Sequence, residues 1–119
     1  MAASYRLMLE TERVVSGFPR RHKYDCGKEL RGLAYEGHRL LQDAMRAKKD
    51  GTGRKADLLR QVIAANDSLK LRLPVAFDLQ LFKSKGQFTD LTEIAAHVGR
   101  QLGALLRSME HPKGQSSNA

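Results

Sequence analysis

The stretch Tyr24–Lys49, YDCGKELRGLAYEGHRLLQDAMRAKK, carries two opposite stripes of side chains at helical spacing. At about 100° per residue, one side of the helical wheel is apolar. Its members are Leu30, Leu33, Ala34, Gly37, Leu41 and Ala44. The other side is mostly basic, and its members are Lys28, Arg31, Tyr35, Arg39, Gln42, Arg46 and Lys49. The pattern predicts one long helix that buries its apolar face and presents cations on the other.

The composition describes one small, basic domain. A chain of 119 residues is long enough for a single core. Its 21 Lys and Arg against 13 Asp and Glu give a net charge of +8, which favours phosphate backbones, an anionic membrane or an acidic protein as partner. The single cysteine, Cys26, excludes an intramolecular disulfide, and no apolar run resembles a signal core or a membrane span. We expect a soluble, cytoplasmic protein without membrane contact.

Two helices are predicted in the first half of the chain. Ser4 can cap a first helix that runs to Ser16 and is stopped by the Gly-Phe-Pro sequence at 17–19. The second helix starts near Lys23 and contains the two stripes. It ends near Lys49, because Asp-Gly-Thr-Gly follows as a turn signal.

Two further helices are predicted in the second half. The third spans 54–82, and Pro74 inside it predicts a kink near Lys70, since proline removes a backbone donor and crowds the preceding turn. Thr89 is expected to cap the fourth, which keeps one apolar stripe to residue 109. Long amphipathic helices joined by short connections predict an all-α, up-down-up-down antiparallel four-helix bundle over residues 4–109. Residues 110–119 lack periodicity and are predicted to be a disordered tail.

Small and apolar side chains outside the stripes suggest close helix contacts. Gly99 and Gly103 lie beside the apolar stripe of the fourth helix, where glycine costs roughly 1 kcal/mol relative to alanine. Close approach of another helix, in the bundle or in another subunit, would compensate. Leu71 and Leu79 lie off the third helix's stripe and leave apolar surface for an oligomer to cover.

The basic face is the main candidate for binding nucleic acid or an acidic partner. Basic residues continue the stripe at both ends, and Tyr35 within it could stack on a base. The candidate set is Arg20, Arg21, Lys23, Lys28, Arg31, Tyr35, Arg39, Arg46, Lys49, Arg54 and Lys55. Acidic residues flank the stripe and either form internal pairs, such as Asp43 with Arg46, or meet a neighbouring subunit. A solvated face without a partner is the alternative.

Signals for chemistry are sparse. No Glu-x-x-His ligand pair, phosphate loop or nucleophile elbow is present, and His22 with Cys26 gives only two potential zinc ligands. We therefore expect no metal, no cofactor and no catalytic residues. One enzymatic alternative remains, because Arg31 and His38 resemble the Arg and His pair of HEPN-type ribonucleases. In such an enzyme the pair would act in acid/base catalysis and phosphate stabilisation.

Two segments, FPRRHKYDCGKEL at 18–30 and VGRQLG at 98–103, resemble the accessory variability determinant proteins of diversity-generating retroelements. More loosely, the chain resembles the four-helix-bundle proteins encoded in 23S rRNA intervening sequences. The resemblance implies a non-enzymatic partner of a reverse transcriptase that supports mutagenic cDNA synthesis. It also implies a homo-oligomer, a pentameric barrel, whose basic surface engages the reverse transcriptase and its template RNA or cDNA.

Overall fold

Four long helices make up the protein in a computed structural model that describes residues 2–47 and 53–110. They are α1 (Ala2–Ser16), α2 (Lys28–Arg46), α3 (Arg54–Asp78) and α4 (Lys85–Glu110). A helical turn at Arg20–His22 and a π-helical turn at Lys23–Gly27 lead into α2. No strand occurs in these described ranges. The predicted all-α four-helix bundle is confirmed.

Each helix packs on two neighbours, α1 and α3 both contacting α2 and α4. The start of α1 meets the middle of α2, where Ser4 contacts His38, while Glu12 further along α1 meets Arg31 near the start of α2. The same inverse order holds in the other pairs: Glu29 with Arg72 and Gly37 with Ala65, then Asn66 with Ala95 and Phe77 with Phe88. Neighbouring helices in these pairs therefore run in opposite directions.

The predicted apolar stripes form the core. Leu30, Leu41, Leu73, Leu91 and Leu102 are fully buried and come from three of the four helices. Burial of one such side chain contributes about 1.5–3 kcal/mol, so the leucines of the stripes dominate the stability of the bundle. From α1, Val14 and Val15 join the same cluster.

The first helix begins earlier than predicted. It starts at Ala2, so the interpretation of Ser4 as its N-cap is wrong. Ser4 is buried, and its hydroxyl lies 3.1 Å from Nδ1 of His38. Its side chain therefore makes a contact between two helices and does not cap the start of α1. The second helix ends at Arg46, earlier than the predicted end near Lys49, because Ala47 already has an extended conformation with a ψ of 137°. Lys49 itself lies outside the described residues.

The third helix ends earlier than predicted, at Asp78 instead of residue 82. Gln80 has a φ of 61°, in the left-handed region. The Leu81 N–H donates to the Ala76 carbonyl and the Gln80 N–H to the Phe77 carbonyl. These bonds form a Schellman motif, in which glycine is the usual left-handed residue. Pro74 lies inside α3, and the kink remains a prediction.

The fourth helix begins at Lys85, so Thr89 is not its cap. Ser84 accepts a hydrogen bond from the Gln87 N–H at 3.2 Å, and Gln87 Oε1 accepts one from the Lys83 N–H at 2.9 Å. This reciprocal arrangement resembles a capping box. It adds a full turn to α4 before Thr89.

Gly99 and Gly103, the two glycines in the second half of α4, have different surroundings. A Cβ at Gly99 would lie 3.2 Å from Nδ2 of Asn66 on α3, so this glycine permits close contact inside the bundle. A Cβ at Gly103 would meet only Arg107 of its own helix, at 3.3 Å. Close helix packing within one chain therefore accounts for the glycine at position 99, but not for the one at position 103. The predicted tail lies outside the described residues except for Glu110.

Candidate nucleic-acid interface

Arg39 and Arg46, in the C-terminal half of the predicted basic stripe, are paired with acidic residues of their own helix. Arg39 donates to both oxygens of Glu36 and to Asp43, whose other oxygen lies 3.9 Å from Arg46. The hydrogen bonds from Arg39 lower the pKa of Glu36. The internal pairing of Asp43 with Arg46 is confirmed. Arg39 and Arg46 thus present less free positive charge than the wheel suggested.

Two further ion pairs join helices to each other. Arg31 is half-buried, and its guanidinium lies 3.9 Å from Glu12 of α1. On the other side of α2, Glu29 pairs with Arg72 of α3 at 2.7 Å. Arg31 therefore faces α1 and is not part of an open cationic row.

The segment from Arg20 to Lys28, which leads into α2, has a different character. Arg20, Arg21 and Lys28 are exposed and Lys23 is half-buried, and none of the four forms an ion pair with any described residue. The one carboxylate between them, that of Asp25, accepts from the Cys26 N–H and lies 3.5 Å from His22. The cations of this segment remain available to an external anion.

A tight contact with α1 fixes the position of these cations. Gly27 is buried, and a Cβ there would lie 2.7 Å from Cγ1 of Val15 and 3.2 Å from the His22 carbonyl oxygen. Only glycine permits the π-helical turn to pack this closely on α1. A π-helical turn holds more residues than an α-turn, so the side chains of 23–27 depart from the regular wheel that the sequence suggested.

Two lysines that the sequence predictions missed lie after α3: Lys83 in the loop and Lys85 at the start of α4. A Cβ at Gly17 would lie 2.7 Å from Cε of Lys83, and the rings of Phe18 and Phe82 are 5.8 Å apart. These contacts place the loop beside the turn that follows α1. We call the resulting cationic surface the basic end; its residues are Arg20, Arg21, Lys23, Lys28, Lys83 and Lys85. In the sequence, only the Lys-Ser-Lys run at 83–85 could have indicated that these lysines belong to the surface.

The remaining candidates do not lie at the basic end. Arg54 and Lys55 follow the far end of α2, about 28 Å from its start at 1.5 Å per residue. Tyr35 is exposed midway along the helix. At the basic end the exposed tyrosine is Tyr24, with 72% of its surface accessible. The predicted basic residues therefore do not form one continuous surface: some lie at the basic end and others elsewhere along the bundle. Lys49 lies outside the described residues.

The Arg31 and His38 pair contacts α1 at two separate points. His38 bonds Ser4 through Nδ1, and its ring centroid lies 5.9 Å from that of Tyr5. Burial lowers the pKa of His38. Because Arg31 is engaged with Glu12, each member of the pair already has a partner on another helix.

Potential metal ligands are scattered. Across residues 2–47 and 53–110, no three His, Cys, Asp or Glu side chains are grouped so that they could hold an ion. Burial raises the pKa of the Cys26 thiol, as do the nearby Asp25 and Glu29 carboxylates. In the same ranges, none of the helices combines the length and the apolar character needed to cross a bilayer.

Comparisons with known proteins do not assign the chain to a family. No family model matches it, and no curated protein is similar in sequence.

Proposed function

We propose that this bundle is a non-enzymatic accessory subunit that binds RNA or cDNA, together with the reverse transcriptase of a diversity-generating retroelement. The basic end would contact the phosphates. The observation that carries the proposal is the separation of two kinds of cation. Arg20, Arg21 and Lys28 are exposed and lack acidic partners among the described residues. In contrast, Arg31, Arg39 and Arg46 are paired.

Electrostatics and an exposed aromatic ring support nucleic acid as the ligand. Arg20, Tyr24 and Lys28 recur at intervals of four residues, so a ring lies between two cations along the segment. Such an alternation fits a strand whose phosphates meet cations and whose bases stack on aromatic rings. The resemblance of residues 18–30 and 98–103 to accessory variability determinants supports the reverse transcriptase as the protein partner.

The test compares two charge-matched variants. Arg20→Gln/Arg21→Gln/Lys28→Gln removes three unpaired cations, and Arg13→Gln/Arg60→Gln/Arg72→Gln removes three that are paired with acids. We expect the first variant to lower RNA affinity at least tenfold and to reduce the salt slope by about 2, since each lost phosphate contact removes roughly 0.7 to 0.9 from it. Fluorescence anisotropy across a salt series measures both quantities.

The control variant should keep most of the affinity, and circular dichroism should show both variants folded. Equal losses in the two variants would show that only total charge matters. Wild-type affinity that does not change between low and physiological salt would contradict phosphate binding altogether.

A HEPN-like ribonuclease is the alternative that the sequence left open. It needs Arg31 and His38 to act on one phosphate, yet both are occupied by α1. Incubation with labelled RNA decides between the two functions. Cleavage that disappears in His38→Ala would overturn the accessory role.

Assembly into a homo-oligomer, a pentamer by the resemblance, is part of the proposal. Leu71, Val75 and Leu79 recur at intervals of four residues near the end of α3, and their exposed fractions are 74%, 47% and 50%. Leu71 and Val75 belong to α3, and Leu79 directly follows it. A row of exposed aliphatic side chains of this kind is suited to contact between copies of the bundle.

A further inference from the structure

A cavity of about 360 Å³ opens at the basic end, between the end of α3 and the start of α4. It is lined by Phe77, Asp78, Gln80, Phe82, Ser84 and Lys85. A larger groove of about 620 Å³ lies between α1 and α4, but it contains no Phe, Tyr or Trp and mixes Arg6 and His97 with Asp90 and Glu93. The smaller cavity is the one that combines aromatic rings, polar groups and a free cation.

The aromatic side of the cavity belongs to a cluster of four phenylalanine rings. Phe77 stacks on Phe88 with ring centroids 4.4 Å apart, and Phe88 lies 5.6 Å from Phe82, which in turn meets Phe18 at 5.8 Å. Phe77 keeps 36% of its surface exposed. Phe77 lines the cavity, whereas Phe88 does not. A supported ring with accessible surface is suited to stacking another planar group.

The polar side of the cavity has a conformational cost. Gln80 adopts a φ of 61°, which glycine would adopt without strain. This conformation belongs to the Schellman motif that ends α3. Gln80 and Asp78 both line the cavity, so an amide and a carboxylate are available there.

We propose that the cavity takes one unpaired nucleobase of the bound strand; this inference rests on nucleic-acid binding at the basic end. The base stacks on Phe77, and its polar edge faces Gln80 and Asp78. The carboxylate of Asp78 repels phosphate, so the backbone lies outside the cavity on Lys83 and Lys85. Bases in a duplex are paired and stacked, and the site therefore selects single strands.

The experiment measures single-stranded and duplex oligonucleotides of one length at one salt concentration. Wild-type protein is expected to prefer the single strand at least tenfold. Phe77→Leu should lower single-strand affinity roughly 5- to 150-fold, the size of the loss when one base-stacking ring is removed. Duplex affinity should not change. Tyr5→Leu is the matched control, because Tyr5 is exposed, packs against His38 and does not line the cavity.

A second measurement needs no variant. A single strand containing 2-aminopurine loses fluorescence when that base stacks, so quenching on addition of wild-type protein is expected and its absence would overturn the inference. Unchanged single-strand affinity in Phe77→Leu, with salt-dependent binding intact, would do the same and leave the proposed function standing. Loss of reverse-transcriptase binding alone in that variant would identify a protein side chain as the occupant. Absence of all nucleic-acid binding would overturn both proposals.

Discussion

Gln80 has the one positive φ among the described residues that are not glycine. The left-handed conformation costs a residue with a Cβ about 1 kcal/mol that glycine avoids. We therefore expect Gln80→Gly to raise the free energy of unfolding by about 1 kcal/mol, measured by urea denaturation. Gln80→Ala keeps the Cβ and should give no such gain. Equal effects of the two substitutions would show that strain at this residue is small.

His38 should make the stability depend on pH. Its burial lowers its pKa from an ordinary value near 6.5, so the unfolded chain takes up a proton more readily than the bundle does. Stability is complete above about pH 6.5 and falls as the pH drops from there through the lower folded pKa. Thermal melts at pH 7.5 and 5 should show a larger decrease for wild type than for His38→Gln. An identical decrease in both would assign the effect to other groups.

At the level of single residues, the sequence could identify the cations but only some of their partners. The pairing of Arg39 with Glu36 follows from spacing along one helix and was open to prediction. The pairing of Arg31 with Glu12 joins two helices and depends on how α1 packs against α2. Spacing along the chain could therefore not show that Arg31 forms an ion pair while Arg20 and Arg21 form none with a described residue.

The start of α4 tests how a helix end is specified. Ser84 caps the helix through the Gln87 N–H, so Ser84→Ala should lower the free energy of unfolding by about 1 kcal/mol. Thr89→Ala is the matched control, because Thr89 is exposed inside the helix and alanine is the better helix former. We expect this control to be neutral or slightly stabilising in chemical denaturation. A larger loss in Thr89→Ala would contradict the observed start of the helix.

The helices themselves were predictable from their apolar periodicity, and their ends were less so. The Ser-x-x-Gln sequence at 84–87 was a readable capping signal, but Gly86 and the flanking lysines resembled a loop. The end of α3 could not be predicted, because Gln80 occupies the left-handed position at which a glycine would have indicated the end of a helix. The π-helical turn at Lys23–Gly27 has no periodic signature, since it depends on Gly27 fitting against Val15.

For the whole molecule, the net charge did not predict where the cationic surface lies. The total of +8 is a property of the sequence, whereas the basic end exists because Phe18 and Phe82 bring two distant segments together. Those segments are far apart along the chain, and helix periodicity does not relate them. The fold class was thus predictable from the stripes, while the surface that we propose to bind nucleic acid required the tertiary structure.

The exposed row on α3 gives the prediction for assembly. If Leu71, Val75 and Leu79 mediate contact between copies, Leu71→Glu should introduce a charge into that contact and reduce the mass measured by light scattering to that of a 13.3-kDa monomer. The fold should survive, because Leu71 is 74% exposed in the single chain and contributes little to its core. Gln61→Glu adds the same charge at another exposed position of α3 and should keep the wild-type mass. A monomeric wild type at micromolar concentration, or a Leu71→Glu variant that retains the oligomer, would contradict assembly through this row.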